Sequence, residues 1–294
     1  MAEQKLGQSH LNRPQEDRPR DRLGIEFISV LGLSPVQFIA LARKLGCGNI
    51  GLAPSPITGP LAGESNWNLR ANPALVRATR QALVNEGVRL TLGEGFLIMP
   101  GHDIADAEAD IEIMAELGAE RLNACAMEPD AVRNLDQFAA FAAMAGARGL
   151  PVTVEFIPGT PVCDLGAALR FVAASGAANA RVLVDAMHLF CSGGTAEQLA
   201  AVTPGLIGYA QLCDARQASF YDGYFDDARN NRPAPGEGVL PLAQFVRALP
   251  AACPIGLEVP MLLKAAAGIG HEERLTPCVA AARALLAGAH VGNG

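Results

Sequence analysis

The stretch from Pro151 to Met187, PVTVEFIPGTPVCDLGAALRFVAASGAANARVLVDAM, decides the fold. It opens and closes on short apolar runs, Pro151 to Ile157 and Arg181 to Met187, with room between them for a helix and two loops. Neither run alternates cleanly between polar and apolar residues. Near-continuous apolar character is how strands covered on both faces of a parallel sheet read.

The same unit recurs along the chain. Six further β-rich segments are Leu23 to Val30, Asn49 to Ala53, Arg89 to Phe96, Arg121 to Met127, Leu206 to Leu212 and Pro254 to Val259. The eight starts fall about 25 to 48 residues apart, and the stretches between carry helix punctuation. Ser34 and Pro35 supply a cap and a first-turn proline before Phe38, Leu41 and Leu45, and Gly46 closes that segment. Ile111 with Met114, Leu135 with Phe138, and Leu275, Val279, Ala282 and Leu286 each share one helical face. Eight β and α units without a break in composition predict an α/β protein, a single (β/α)8 TIM barrel of parallel strands over residues 23–288. A flexible arm is expected over 1–22 and a tail over 289–294. An open doubly wound sheet is the alternative, but no G-x-G-x-x-G follows any strand.

Composition narrows the partners. The 294 residues are 50% apolar and 18% charged, with 23 Lys and Arg against 30 Asp and Glu for a net charge of −7. That balance repels a phosphate backbone, so no nucleic acid is expected as a partner. No apolar run approaches the roughly 20 residues of a membrane span, and the polar first 22 residues are no secretory signal, so no membrane is expected and the location is cytoplasmic. The seven cysteines, at 47, 125, 163, 191, 213, 253 and 278, contain no C-x-x-C pair and read as small buried apolar residues.

In such a barrel the active site lies at the C-terminal ends of the strands. Four consecutive strands end on a polar residue: Glu155, Asp185, Gln211 and Glu258. Counting back by twos puts Thr153, Leu183, Tyr209 and Gly256 on the same strand faces, so the four ends point inward together. Three converging carboxylates need a positive charge among them, and an all-oxygen set suits a hard divalent ion, Mn²⁺ or Mg²⁺ before Co²⁺ or Zn²⁺. Glu94 and His102, near the end of the third strand, are candidates to join the site. The longest connection, Asp214 to Pro254, reads as a polar loop of the kind that forms lids.

The segments VEFIP, VDAMHLFCSGG, AQLCDA, RPAPGEG and GLEVP, in this order, resemble the xylose isomerase-like TIM-barrel superfamily of sugar isomerases and epimerases. The resemblance implies that Glu155, Asp185, Gln211 and Glu258 bind one divalent metal, and that His188, in D-x-x-H, hydrogen-bonds a substrate oxygen. Many relatives have histidine at the third ligand. Gln211 is similar instead to the hydroxypyruvate isomerases and the bacterial 3-dehydroshikimate dehydratases. Arg216 and Arg232 would clamp a substrate oxygen or carboxylate, or else pair with loop carboxylates such as Asp226 and Glu237.

Such a metal acidifies the proton next to a substrate carbonyl, which Glu155 and Glu258 would move between carbons or faces. The expected activity is isomerisation or epimerisation of a small hydroxy-carbonyl compound. Dehydration of the 3-dehydroshikimate or inosose type is the alternative, and an endonuclease IV-like nuclease a remote one, since five histidines and an acidic surface do not suit it. Family barrels are often dimers or tetramers, and the apolar helix faces are compatible with a homo-oligomer. The ends of strands one to four are apolar, and no basic cluster or glycine-rich loop awaits a phosphate there. An unphosphorylated substrate with one apolar face fits that composition.

Overall fold

Each strand hydrogen-bonds in parallel to the next one along the chain, and the last returns to the first through Leu23↔Ile255 and Gly24↔Gly256. In the computed structural model, which describes residues 21–57 and 66–291, the closed barrel comprises β1 (Leu23–Glu26), β2 (Asn49–Leu52), β3 (Arg89–Ile98), β4 (Leu122–Ala126), β5 (Val152–Glu155), β6 (Ala180–Asp185), β7 (Ile207–Leu212) and β8 (Ile255–Leu257). The eight expected strands are all present. Most of the arm expected over 1–22 lies outside the described residues.

Helices wrap the barrel where the punctuation places them. After β1 comes α1 (Pro35–Lys44), where the Gln37 side chain accepts from the Ser34 N–H at 3.3 Å. Then follow α2 (Pro73–Glu86), α3 (Glu108–Glu116), α4 (Ala131–Gly146) and α5 (Leu165–Ser175). Asn72, Asp130 and Asp164 cap α2, α4 and α5 by accepting from backbone N–H groups three residues on. After β6 come α6 (Ala186–Cys191) and α7 (Ala196–Ala200), and after β7 α8 (Tyr224–Asn230) and α9 (Leu242–Ala248). Two helices, α10 (Leu262–Ala266) and α11 (His271–Val291), end the chain, the second running into the segment expected as a tail. Its Leu275, Val279, Ala282 and Leu286 are buried, as their spacing predicts.

Three expectations change. The first strand stops at Glu26, and Phe27–Val30 winds into a 3-10 turn. Ser29 holds that turn, donating to the Leu257 carbonyl and accepting from Val259 N–H, both at 2.9 Å. The third strand runs on to Ile98, and its register against β4 shifts between Gly93 and Phe96, around Glu94. The connection from Asp214 to Pro254 contains α8 and α9 rather than irregular loop alone. Tyr224 and Ala228, four apart, give α8 a buried face despite its charged neighbours.

The main core lies between sheet and helices, and a smaller apolar cluster of Leu92, Leu183 and Tyr209 is distinct from it. Fully buried Glu26 sits nearby, accepting from the Tyr209 hydroxyl at 2.7 Å. Its carboxylate occupies space that only glycines leave open. A Cβ on Gly256 would fall 1.4 Å from Glu26 Oε1, and one on Gly51 would fall 1.6 Å from Oε2. Gly256→Ala is therefore expected to destabilise the protein by about 3 kcal/mol, the upper end of overpacking costs. Urea denaturation should give a smaller loss for the same change in a Glu26→Ala background, where the clash is gone.

Candidate active site

The geometry starts from strand ends. Glu155 closes β5, Asp185 closes β6, Gln211 lies next to the end of β7, and Glu258 follows β8 directly. All four are buried, and Glu155, Asp185 and Glu258 each offer an oxygen within 4.8 Å of the other two. Gln211 joins them through its amide, with Nε2 3.2 Å from Glu258 Oε1 and 3.2 Å from Glu94 Oε2.

Local structure fixes each side chain. Asp185 is the N-cap of α6, and its Oδ1 accepts from His188 N–H at 2.9 Å. The three-residue spacing of D-x-x-H is thus a helix cap that also carries His188 into the site. The His188 ring is held at both nitrogens: Nε2 lies 3.3 Å from Glu155 Oε1, and Nδ1 bonds the Tyr224 hydroxyl. Burial and nearby Asp185 push the Tyr224 phenol far up, so it stays a hydroxyl. On its other side Glu155 accepts from Asn123 Nδ2 at 3.0 Å.

Arg232 holds the carboxylates together. Buried and fixed by an Nε bond to the Ala228 carbonyl at 2.6 Å, it sets Nη1 2.6 Å from Asp185 Oδ2 and 2.7 Å from Glu258 Oε2. It pairs with neither Asp226 nor Glu237. Burial pushes the Asp185 carboxyl up, but Arg232, His188 and the backbone bond outweigh it, leaving Asp185 below the usual range. Glu258 goes the other way, raised well above that range by burial, with Glu155, Asp185 and Glu26 adding to the rise against Arg232.

Glu94 belongs to this set. Burial first, then neighbouring Glu26, raises it well above the ordinary carboxyl range. Glu26 itself is raised mainly by burial. It was not anticipated as a site residue, because a first strand drawn to Val30 hides its polar end. The alternation of Gly24 and Glu26 in LGIE was the available signal. Two expected residues lie elsewhere. His102 is exposed, outside the cavity, and its carbonyl accepts from Arg133. Arg216 is exposed on an adjoining groove with Asn231, Pro233 and Lys264, which meets the cavity at Arg232. Both follow a strand end closely in sequence, yet neither lines the cavity.

The cavity above the carboxylates has a volume of about 330 Å³. Glu94, Asn123, Glu155, His188, Arg232 and Glu258 give it a polar side, and Ile57, Phe96, Leu97, Met99, Ile157 and Phe225 an apolar one. The donor set fits a hard divalent cation. Gln211 Oε1 and Glu94 Oε1 are buried with no hydrogen-bond partner among the described residues, and Arg232 brings one positive charge to five clustered carboxyl groups.

A family model described as xylose isomerase-like TIM barrel matches residues 39–272. No curated protein matches the chain in sequence. Among solved structures, the chain superposes on an IolI protein with a bound zinc atom (TM-score 0.72, 16% identity, 90% of this chain and 98% of that one). It is also similar to an L-ribulose 3-epimerase (TM-score 0.69, 15% identity, 92% and 96%). A third match is a xylose isomerase-like TIM barrel/4-hydroxyphenylpyruvate dioxygenase fusion protein (TM-score 0.66, 20% identity, 81% of this chain), of whose length the chain spans 38%. At these identities the likeness is one of fold.

Two outcomes follow from the charge balance. Arg232→Gln leaves Asp185 and Glu258 without their cation, and calorimetry on EDTA-treated protein should show a loss of about 3–5 kcal/mol. Saturating Mn²⁺ should raise the Tm of this variant more than that of the wild type. Separately, Glu94 and Glu258 have folded values above their unfolded value near 4.5. Their contribution to stability is complete below about pH 4.5 and is lost as pH rises through the folded values. The Tm of metal-free protein should therefore fall between pH 5 and pH 8, and fall less in Glu94→Gln.

Proposed function

The chain belongs to the xylose isomerase-like TIM-barrel family, and from that premise we propose that it is a divalent-metal-dependent isomerase or epimerase of a small hydroxy-carbonyl compound. The observation that carries this function is the buried triad Glu155, Asp185 and Glu258, two of whose members line the same cavity as His188. Glu155, Asp185, Glu258 and Gln211 would hold the ion, Mn²⁺ or Mg²⁺ by the hardness of an all-oxygen set. When bound, the ion polarises a carbonyl and acidifies the adjacent C–H.

The protein's own groups divide the proton work. Glu155, held between the Asn123 amide and the His188 ring, is placed to accept the proton. Glu258, the other triad carboxylate that lines the cavity, is placed to return a proton. His188, oriented by Tyr224, offers its Nε2 edge to a substrate oxygen near Glu155. Return to the neighbouring carbon is isomerisation, and return to the opposite face is epimerisation. Gln211, the residue similar to the dehydratases, favours a second function in which a β-hydroxyl leaves and the same groups perform a dehydration.

The test follows the α-proton. Mn²⁺-loaded protein in D₂O, incubated with a panel of free ketoses and with 3-dehydroshikimate, should place deuterium on the carbon beside the carbonyl, read by NMR. Glu155→Gln and Glu258→Gln should each lower turnover by about 10²–10⁴-fold. Unchanged turnover in either variant rules the mechanism out. Ultraviolet absorption of an aromatic catechol, formed when 3-dehydroshikimate, itself an enone, loses water, assigns the dehydration instead.

A further inference from the structure

The cavity is built from two unlike sides. Its acids, His188 and Arg232 suit a hydroxy-carbonyl edge, whereas its rim is hydrocarbon. Ile57, Leu97 and Phe225 are 36%, 41% and 49% exposed, three of the eight exposed large apolar residues among the described ones, and all three line this one cavity. Apolar residues scattered singly over a surface need no explanation, but a cluster around the mouth of a polar site does. Phe225 is backed by Phe220 at 5.9 Å between ring centroids, and both rings lie against Gly159, where a Cβ would come within 3.1 and 3.2 Å of them. The aromatic rim is therefore packed in place.

A sugar with a hydroxyl on every carbon does not match this rim, because hydroxyls pressed on hydrocarbon lose water without gaining partners. A phosphate matches it no better. The rim carries one cation among the described residues, Arg229, with one of its donors on the Ile57 carbonyl at 3.1 Å, too little positive charge for a phosphate dianion beside five buried carboxyl groups. The glycine turn of PGEG could cradle an anion, but its N–H groups are taken. Gly236, Gly238 and Leu240 donate to buried Asp214 at 2.9, 3.0 and 3.0 Å.

We propose that the substrate is an unphosphorylated α-hydroxy carbonyl compound bearing a hydrocarbon ring or branch, and that Phe225 and Leu97 select it. This rests on the proposed proton-transfer function only in the choice of the hydroxy-carbonyl edge. Titration calorimetry of the full chain with Mn²⁺ would compare three probes that share that edge: 2-hydroxyacetophenone, dihydroxyacetone and dihydroxyacetone phosphate. The aryl probe should bind at least about ten-fold more tightly than dihydroxyacetone, a modest share of what burying a phenyl ring yields. In Phe225→Ser/Leu97→Ser that ratio should fall below about three-fold, with Mn²⁺ affinity unchanged, since neither residue touches the carboxylates. Equal binding of the aryl probe and dihydroxyacetone, a ratio the double variant leaves intact, or tightest binding of the phosphate overturns the inference. Solvent deuterium exchange into the probes separates the two proposals. Exchange without aryl preference overturns this one alone, whereas aryl preference lost in the variant, without exchange, supports it and overturns the proton-transfer function.

Discussion

Five buried carboxyl groups crowded together, two of them paired with one guanidinium, are the constraint on which the rest of this site depends. Glu26, Glu94, Glu155, Asp185 and Glu258 are each at least nine-tenths buried, and Arg232 is the cation in direct contact with two of them. Charges in such a place cannot be left to water. The molecule meets the constraint in two ways visible in its geometry. Asp185 is held ionised by Arg232 and a helix cap, whereas Glu94 and Glu258 are driven toward the neutral form. A divalent cation at the triad would reverse the second of these, releasing protons as it binds.

The barrel makes that crowding achievable. Parallel strands bring four consecutive C-terminal ends to the same mouth, with Asp185 opposite Gln211 in the β6 and β7 pair, Glu155 opposite Leu183 and Gln211 opposite Gly256. Beneath them Gly51 and Gly256 give up their side chains so that Glu26 can stand inside the barrel. The connection after β7 completes the site from above. It supplies Arg232 to the carboxylates and Tyr224 to His188, and Asp214 fixes its later turn through three backbone N–H groups. Neither Tyr224 nor Arg232 can leave without disturbing a triad residue or the histidine beside it.

These dependencies explain what was legible in the sequence. Glu155, Asp185, Gln211 and Glu258 announce themselves because each is the first polar residue after an apolar run, and strand periodicity then sets their direction. Glu26 has the same position and the same apolar followers, Phe27 and Ile28, as Glu155 has in Phe156 and Ile157, but a first strand drawn through to Val30 leaves it inside the run rather than at its end. Arg232 was legible as an arginine before a glycine turn, but not its partner, because a side chain of that length can reach loop or barrel mouth equally well. The packing of α8, set by Tyr224 and Ala228, decides between them. His102 and Arg216 carry the converse lesson: nearness to a strand end in sequence does not by itself put a side chain in the site, since a connection can enter the site at one residue and stay outside it at another.

The two sides of the cavity also act on each other. Hydrocarbon at the rim keeps water from the carboxylates once a ligand fills the mouth, and in that drier space each charge interaction strengthens. Glu155 and Glu258 differ in their surroundings, the Asn123 amide and the His188 ring for one and the Gln211 amide and the Arg232 charge for the other, and that difference widens as solvent screening falls. An apolar body on the substrate would therefore do more than add contact area. By closing the rim over Ile57, Leu97 and Phe225 it would strengthen the unequal surroundings of Glu155 and Glu258 that the proposed proton transfer uses.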